Sequence, residues 1–370
     1  MCQKTFVGRG SSEKLKEIVQ GFSPNRVLLV RGKKSFIECG ASHVISSALD
    51  GTTVIEYFDF QDNPKIEDVY KGLQLMGNDN VDIIVGVGGG SVLDMAKLIR
   101  FLYSYDTNEV FSSHVFRRKK KPLILLPTTA GTGAEATHFS VIYSNNRKYS
   151  LEHDDVMSDI AIVDSCFTYN TPKYITACAG IDALSQAVES FWNVNANEES
   201  DLYSSKAIGL LHENLAIAVN NPTKESRDKV SEGAYWAGRA INITKTTAPH
   251  AFSYPFTTYY GIPHGHAVSF TLPKFMEINW GMYQSKLNIG LEIGSHHRKM
   301  CRLYDMLGID NYMTAYNQMR QFIVNDLHLN PMSEFDKKLI MDNVNVQRLN
   351  NNPIKICESD IEEIVKCVGN

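Results

Sequence analysis

The sequence predicts two domains, an N-terminal α/β domain built on a parallel sheet and a C-terminal domain that is mainly helical. Short apolar runs alternate with helical periodicity as far as residue 165. From Pro172 onward, long amphipathic stretches replace those runs. The chain has 370 residues, which is more than one compact core usually supports. We therefore expect one domain at residues 1–168 and a second at residues 169–370.

Four apolar runs in the first half have the character of buried strands. They are continuous rather than alternating, which is typical of parallel strands covered on both faces. The predicted strands are Val27–Val30, Val54–Phe58, Asp82–Val87 and Leu123–Leu126, with a helix at Ile66–Leu73 between the second and third. This alternation indicates a doubly wound, Rossmann-like domain. In the second half, apolar residues recur at helical spacing in Tyr203–Val219 and Arg227–Ile243.

Composition and charge argue against nucleic-acid-binding, secreted and membrane proteins. A net charge of −4 with 21% charged residues gives no sign of a nucleic-acid binder. Seven dispersed cysteines without a Cys-x-x-Cys pair fit reduced thiols in the cytosol. The N-terminus lacks the apolar segment of a signal peptide, and no apolar run approaches the roughly 18 residues of a membrane helix. We therefore expect a cytoplasmic protein that binds a small molecule but neither nucleic acid nor a membrane.

The stretch from Ala179 to Ser190 contains metal-ligand types at helical spacing. Asp182 and Gln186 lie one turn apart on one face of the predicted helix. His250 and His264 follow downstream and can complete a cation site. The alternative is that Asp182 caps the start of a helix and the histidines are scattered core or surface residues.

A glycine-rich turn follows the third predicted strand. Gly88-Gly89-Gly90-Ser91 opens a helix that contains Asp94. Glycines let the backbone approach a pyrophosphate closely, while the free amides and the positive helix end face the anion. The turn therefore predicts a dinucleotide site, with a purely structural turn as the alternative.

A threonine loop follows the next predicted strand. Pro127 is followed by Thr128, Thr129 and Thr132 among small residues. Their hydroxyls suit contacts with phosphate and with a nicotinamide carboxamide.

These motifs together resemble the iron-containing (group III) alcohol dehydrogenases, which share a fold with glycerol dehydrogenase and dehydroquinate synthase. The matching stretches, in family order, are Gly88-Gly89-Gly90-Ser91-x-x-Asp94-x-x-Lys97, Pro127 to Gly133, Asp182-Ala183-Leu184 and Pro263-His264-Gly265. The resemblance implies an N-terminal NAD(P)-binding domain and a C-terminal helical domain that holds one divalent metal. It also implies a homodimer. The implied cofactor contacts are Gly88, Gly89, Gly90, Ser91, Asp94, Thr128, Thr129, Thr132 and, near the ribose, Lys148.

The choice of nicotinamide cofactor is predicted from the loop after the first strand. Relatives that use NADH often have an aspartate there, whereas this chain has Gly32 and Lys33, followed by Lys34 and Ser35. Loss of the carboxylate removes repulsion against a 2′-phosphate, and the ammonium groups can bind it. We therefore expect NADPH rather than NADH; the alternative is that both lysines point into solvent.

The resemblance implies a metal site with one departure from the family. Asp182, His250 and His264 match family ligands, but Gln186 replaces the usual histidine four residues after the aspartate. Its amide oxygen is a harder, weaker donor than imidazole. Fe(II) is expected, and Zn(II) is an alternative because its catalytic sites need only three protein ligands. Tyr254 replaces another active-site histidine and either donates a proton or hydrogen bond to the substrate, or packs in the wall.

Local similarity extends to the phosphonoacetaldehyde reductase branch, which implies reduction of phosphonoacetaldehyde to 2-hydroxyethylphosphonate. Such an anion needs cationic and hydroxyl donors. The candidates are Lys245, Thr246, Arg147, Arg239, His138 and His153. The alternatives are a broad-range alcohol or butanol dehydrogenase, a lyase of the dehydroquinate synthase type, and a metal-free nucleotide-binding protein.

Overall fold

The computed structural model describes residues 3–77, 80–105, 119–144, 147–280 and 286–368. The chain divides into two compact units, Met1–Thr171 and Pro172–Asn370. No helix in the described ranges is long and apolar enough to cross a membrane.

A parallel sheet forms the centre of the first unit. Its strands are β1 (Lys4–Val7), β2 (Arg26–Arg31), β3 (Thr53–Tyr57), β4 (Ile83–Gly88), β5 (Leu123–Pro127) and β8 (Ile160–Val163). They lie in the order β1-β8-β5-β4-β2-β3. A separate antiparallel pair consists of β6 (Phe139–Ser144) and β7 (Arg147–Glu152).

Both faces of this sheet are buried, as the continuous apolar runs predict. On β2, Leu28 and Val30 belong to one buried apolar cluster, whereas Val27 and Leu29 belong to another. Because successive side chains of a strand point to opposite faces, the two clusters lie on opposite sides of the sheet. The α/β prediction is confirmed.

Helices cover the sheet of the first unit. They are α1 (Leu15–Phe22), α2 (Lys34–Glu38), α3 (Ala41–Ala48), α4 (Ile66–Met76) and α5 (Gly90–Tyr105). The predicted strands and the predicted helix all match observed elements to within one to three residues at each end. The sequence patterns did not predict β1, β8 or the β6–β7 pair. β1 is short and only partly buried, and it hydrogen-bonds to β8 alone among the described strands.

The described residues of the second unit are mainly helical, as predicted. The helices are α6 (Lys173–Trp192), α7 (Glu198–Asn220), α8 (Lys224–Thr244), α9 (Ala248–Tyr260), α10 (His264–Ser269), α11 (Leu272–Asn279), α12 (Ile293–Met306), α13 (Tyr312–Gln321), α14 (Lys337–Asp342), α15 (Val346–Leu349) and α16 (Glu358–Cys367). A single π-helical turn, Phe322–Asp326, continues α13.

Helix α6 is the central helix of this unit, and it is buried on nearly every side from Thr176 to Trp192. Close packing requires Gly180, because a Cβ atom there would collide with the side chain of Leu215 on α7. Capping boxes at Asn197 and Thr223 begin α7 and α8, satisfying amides that have no partner inside the helix. The polar side chains that α6 buries after its exposed first turn are therefore enclosed by neighbouring helices.

Candidate active site

Three metal-ligand side chains converge in the second unit. Asp182 lies on α6, His250 lies in the first turn of α9, and His264 is the first residue of α10. One ligand atom from each lies within 4.8 Å of the others. Nε2 of His250 is 3.3 Å from Asp182 Oδ1, and Nε2 of His264 is 4.0 Å from the same oxygen. The structure thus brings together the three residues that match the family's ligand pattern.

Gly265 allows α10 to pack directly against α6. A Cβ atom at this position would overlap the carbonyl oxygen of Cys178 and lie 2.8 Å from Asp182 Cβ. Only glycine fits this backbone-to-side-chain approach. In the Pro-His-Gly sequence, His264 therefore lies beside Asp182 because the next residue, Gly265, has no side chain to keep α10 away from α6.

The described residues fit a divalent cation at this cluster. His250 Nε2 and Gln186 Oε1 are buried and have no hydrogen-bond partner among the described residues. Gln186 Nε2 donates to Asp182 Oδ2 over 3.2 Å, so the amide lies directly against the cluster. A carboxylate, two imidazoles and an amide oxygen form a mixed donor set suited to Fe(II) or Zn(II).

Glu189 contacts His250 from the side opposite the cluster. Its Oε1 lies 2.5 Å from His250 Nδ1, and its Oε2 accepts from the Thr247 amide (2.7 Å) and hydroxyl (3.0 Å). Burial lowers the pKa of His250, but the Glu189 and Asp182 carboxylates outweigh burial and raise it to about 10. From the sequence, Glu189 is expected close to the helix face of Asp182 and Gln186, seven residues after Asp182, but it is not among the predicted ligands.

Tyr254 lies beside His264. The two rings stack with centroids 5.8 Å apart and planes 15° from parallel. The next residue, Pro255, is inside α9 and removes the hydrogen bond to the Ala251 carbonyl, which instead accepts from the Asn345 amide (3.4 Å). Tyr254 therefore lies one turn after His250, next to the point where α9 lacks a backbone hydrogen bond. The Asn345 amide replaces that hydrogen bond.

In the first unit, the glycine turn has the strand–turn–helix geometry of an anion site. β4 ends at Gly88 and α5 begins at Gly90, so a long helix starts directly after the strand, and the amides that precede its first turn have no intrahelical acceptor. A Cβ atom at Gly88 would collide with Val92, and one at Gly90 would lie 2.8 Å from the Thr132 side chain. The turn is thus closely covered by its own helix and by the threonine loop.

The threonine loop packs against this turn. The Thr128 amide donates to the Gly88 carbonyl over 2.9 Å, and a Cβ atom at Gly89 would lie 3.5 Å from Thr129 Oγ1. Thr128 Oγ1 is buried and has no hydrogen-bond partner within the described part of the chain. The structure therefore brings together Thr128, Thr129 and Thr132 with the glycine turn, as a shared dinucleotide site requires.

Three other residues that the sequence predicts to contact the cofactor are Asp94, Lys148 and Ser91. Asp94 Oδ2 accepts from the Val141 amide over 3.1 Å and so ties α5 to β6. The side chain of Lys148 lies outside the described residues. Ser91 Oγ accepts from the Asn63 amide over 3.2 Å.

The loop after β2 carries the predicted determinant of cofactor choice. Gly32 follows β2, and Lys33 is 58% exposed with its Nζ 3.6 Å from the carboxylate of the exposed Asp59. Arg31 pairs with Glu56 over 2.6 Å and lies 3.8 Å from the Phe58 ring centroid. The carboxyl ends of β2 and β3 therefore carry two ion pairs, and the lysine of the longer one, Lys33, is exposed and weakly held.

The predicted substrate contacts are distributed over both units. Arg239 donates to the Tyr235 and Tyr203 hydroxyls, each over 3.1 Å. His138 and His153 belong to the first unit, and the Arg147 side chain lies outside the described residues. Lys245 and Thr246 immediately precede Thr247, the residue that contacts Glu189. These two candidates are therefore the ones that lie in the segment leading to the ligand cluster.

A parallel-sheet unit with a glycine turn and a helical unit with an Asp-His-His cluster are features of a metal-dependent, nicotinamide-linked oxidoreductase. The family model for iron-containing alcohol dehydrogenase matches residues 2–165, and the model for the C-terminal part of the Fe-containing alcohol dehydrogenase family matches residues 176–368. The chain belongs to the iron-containing alcohol dehydrogenase family.

Individual relatives agree with this assignment. The chain is 34% identical over 280 residues to long-chain-alcohol dehydrogenase 1 of Geobacillus thermodenitrificans, a match covering 74% of this chain and 71% of that protein. An iron-containing alcohol dehydrogenase structure from Thermotoga maritima matches with a TM-score of 0.85 and 26% identity, covering 100% of this chain and 99% of the other. The structure of sulfoacetaldehyde reductase from Bifidobacterium kashiwanohense in complex with NAD+ matches with a TM-score of 0.80 and 28% identity, covering 100% and 97%.

The protein is therefore an NAD(P)-dependent alcohol dehydrogenase that interconverts small-molecule alcohols and aldehydes with a nicotinamide cofactor and a metal. The family, the enzyme class and the two-part fold predicted from the sequence are confirmed.

Proposed function

We propose that this enzyme reduces an aldehyde that carries a phosphonate, with phosphonoacetaldehyde as substrate and 2-hydroxyethylphosphonate as product. The likeness to a sulfoacetaldehyde reductase supports a short anionic aldehyde. Sulfoacetaldehyde and phosphonoacetaldehyde share a two-carbon aldehyde and differ in the anionic group. The substrate must therefore be recognised through a cationic contact close to the metal ligands.

The backbone of Lys245 is the observation that carries this proposal. With φ 65° and ψ −176°, Lys245 occupies a conformation that is essentially restricted to glycine and costs about 1–3 kcal/mol for other residues. Asn193 Nδ2 and Thr244 Oγ1 donate to its carbonyl, over 3.1 and 2.9 Å, and hold this conformation. A residue chosen for its backbone alone would be glycine. Lysine occupies this position instead, which supports a role for its ammonium group, and anion binding is a role that its charge allows.

We assign the metal to Asp182, His250 and His264, with Gln186 beside them. When bound, the metal polarises the carbonyl oxygen and the reduced nicotinamide supplies the hydride. The fixed side chains orient the aldehyde: Asp182, Gln186 and His250 are buried, whereas His264 is partly exposed. The Tyr254 hydroxyl, on the ring that stacks on His264, donates the proton that completes the alcohol.

We favour NADPH as the physiological reductant. The loop at Gly32 has no carboxylate to repel a 2′-phosphate, and Lys33 can exchange its weak contact with Asp59 for that phosphate. Fe(II) is the favoured metal, in keeping with the family, and Zn(II) is the alternative that the same donor set accepts.

The test of the substrate is a panel of aldehydes assayed by NADPH oxidation. Phosphonoacetaldehyde, sulfoacetaldehyde, acetaldehyde and butyraldehyde differ in charge and apolar length. We expect the highest kcat/KM for phosphonoacetaldehyde. A higher kcat/KM for butyraldehyde would contradict the proposal and favour the second candidate, a broad-range or long-chain alcohol dehydrogenase, which the 34% identity to such an enzyme supports.

Lys245→Gly tests the recognition step separately from the chemistry. The variant relieves backbone strain, so its free energy of unfolding should match or exceed that of the wild type by about 1 kcal/mol. Loss of a charge-assisted contact worth about 1.5–3 kcal/mol should raise KM for phosphonoacetaldehyde by roughly 10–100-fold. The kinetics with acetaldehyde should not change, and Lys245→Arg is the control that keeps the charge. An unchanged KM in the glycine variant would refute the role of Lys245.

His264→Ala tests the metal centre. The side chain is partly exposed, so its loss should leave the fold intact while bound metal and activity disappear. Metal content by elemental analysis and circular dichroism measure the two properties. Full activity in a metal-free His264→Ala protein would contradict the ligand assignment.

A further inference from the structure

We propose that Glu189 is a positioning residue of the metal centre: it fixes the tautomer and ring orientation of His250, and Thr247 holds it in place. The inference rests on the metal ligands of the proposed function. It assigns a task to a buried carboxylate outside that ligand set.

The surroundings of Glu189 match this task. Its side chain is 0% exposed, and a buried carboxylate is tolerated only when donors satisfy it. The donors are the Thr247 amide, the Thr247 hydroxyl and His250 Nδ1. All three belong to the segment that begins α9. Glu189 therefore connects α6 to the first turn of the helix that carries His250.

The contact with Glu189 determines which ring nitrogen of His250 binds a cation. A carboxylate only accepts hydrogen bonds, so the nitrogen beside it, Nδ1, carries a proton. Because Nδ1 keeps its proton, a cation can displace a proton only from Nε2, which lies 3.3 Å from Asp182 Oδ1. Nε2 and Asp182 Oδ1 then face each other as two ligand atoms for one cation. Glu189 thus prepares Nε2 as the ligand atom.

Thr247 gives the arrangement its rigidity. It is the residue that precedes α9, and its hydroxyl accepts a hydrogen bond from Trp192 Nε1 (3.0 Å) while donating to Glu189. Trp192 and Glu189 are both on α6, as is Asp182. One helix therefore supplies a metal ligand and also two of the groups that orient a second ligand. Hydrogen-bond partners of this kind tune metal affinity, and their loss typically weakens it 10–100-fold.

Glu189→Gln is the decisive variant, because it keeps the size of the side chain but replaces one oxygen with an amide donor. We expect Zn(II) and Co(II) affinity, measured by competition with a chromophoric chelator, to fall 10–100-fold. The absorption spectrum of the Co(II) form should change as His250 reorients. Ser190→Ala is the matched control: Ser190 is the next residue on α6 and is equally buried, but it contacts Thr244. Wild-type metal affinity in folded Glu189→Gln would overturn the inference.

A measurement on the wild type keeps the inference testable if Glu189→Gln fails to fold. In the Zn(II)-loaded, 15N-histidine-labelled protein, His250 should show a proton on Nδ1 that exchanges slowly with water and a metal-bound Nε2. A proton on Nε2 with metal on Nδ1 would refute the assignment. Failure of the wild type to bind metal at all would instead contradict the metal centre itself, which His264→Ala tests independently.

Discussion

Replacing Gly265 with alanine tests how the fold delivers His264 to the metal centre. The added Cβ would lie 2.8 Å from Asp182 Cβ, whereas ordinary van der Waals contact begins at 3.4 Å. The difference requires α10 to move away from α6 by about 0.6 Å, and the overlap with the Cys178 carbonyl requires still more. Metal–ligand distances tolerate only about 0.2 Å. His264 should therefore lose its place beside Asp182, and metal affinity should fall roughly 10–100-fold.

The same substitution should lower the free energy of unfolding by about 1–3 kcal/mol, as overpacked cores do. Chelator competition measures the metal affinity, and urea denaturation measures the stability. Gly209→Ala is the matched control, since a Cβ atom there meets nothing within 4 Å and α7 should gain about 0.5–1 kcal/mol. If Gly265→Ala binds metal as tightly as Gly209→Ala, the packing of α10 on α6 does not position His264.

Three further predictions concern the first unit. Gly90→Val should weaken NADPH binding, measured by fluorescence titration, at least tenfold because its side chain collides with Thr132; wild-type affinity would contradict a cofactor site at the turn. Lys33→Glu should shift the ratio of kcat/KM for NADPH over NADH about tenfold towards NADH, and an unchanged ratio would refute phosphate binding by Lys33. Burial lowers the pKa of Lys97 from 10.5 to about 8, so the folded chain binds fewer protons than the unfolded chain between these values. The contribution of Lys97 to the free energy of unfolding therefore rises as the pH increases from about 8 to 10.5. Urea denaturation at several pH values should show this rise in the wild type but not in Lys97→Met. Equal slopes of the free energy of unfolding against pH in the two proteins would contradict the prediction.

The strand, the glycine turn and the helix at β4 and α5 could be predicted from the sequence because the pattern that indicates them is local. A buried apolar run, three glycines and a helical period follow one another within β4 and α5. No other part of the chain is needed to recognise strand, turn and helix. The same holds for the long helices α7 and α8, whose periodicity and capping residues lie within their own segments.

Features that depend on distant partners could not be predicted in this way. The helical spacing places Glu189 near the face of Asp182, but its contacts with Thr247 and His250 join residues 58 and 61 positions apart and cannot be read from that spacing. The backbone conformation of Lys245 could not be predicted from the sequence either, because a lysine gives no indication of a glycine-like φ and ψ. β1 has too few buried residues for a clear pattern, and its pairing with β8 is set by tertiary structure.

The pairing of β1 with β8 has a consequence for how the protein forms during synthesis. Lys4 through Val7 leave the ribosome well before their partners, Ile160 through Val163, which emerge only after β2 to β7 have been made. Loop closure over such a distance is entropically unfavourable until the intervening segments have collapsed. β1 can therefore join the sheet only once β8 has been made, and nascent chains arrested before residue 160 should expose this segment to proteases and chaperones.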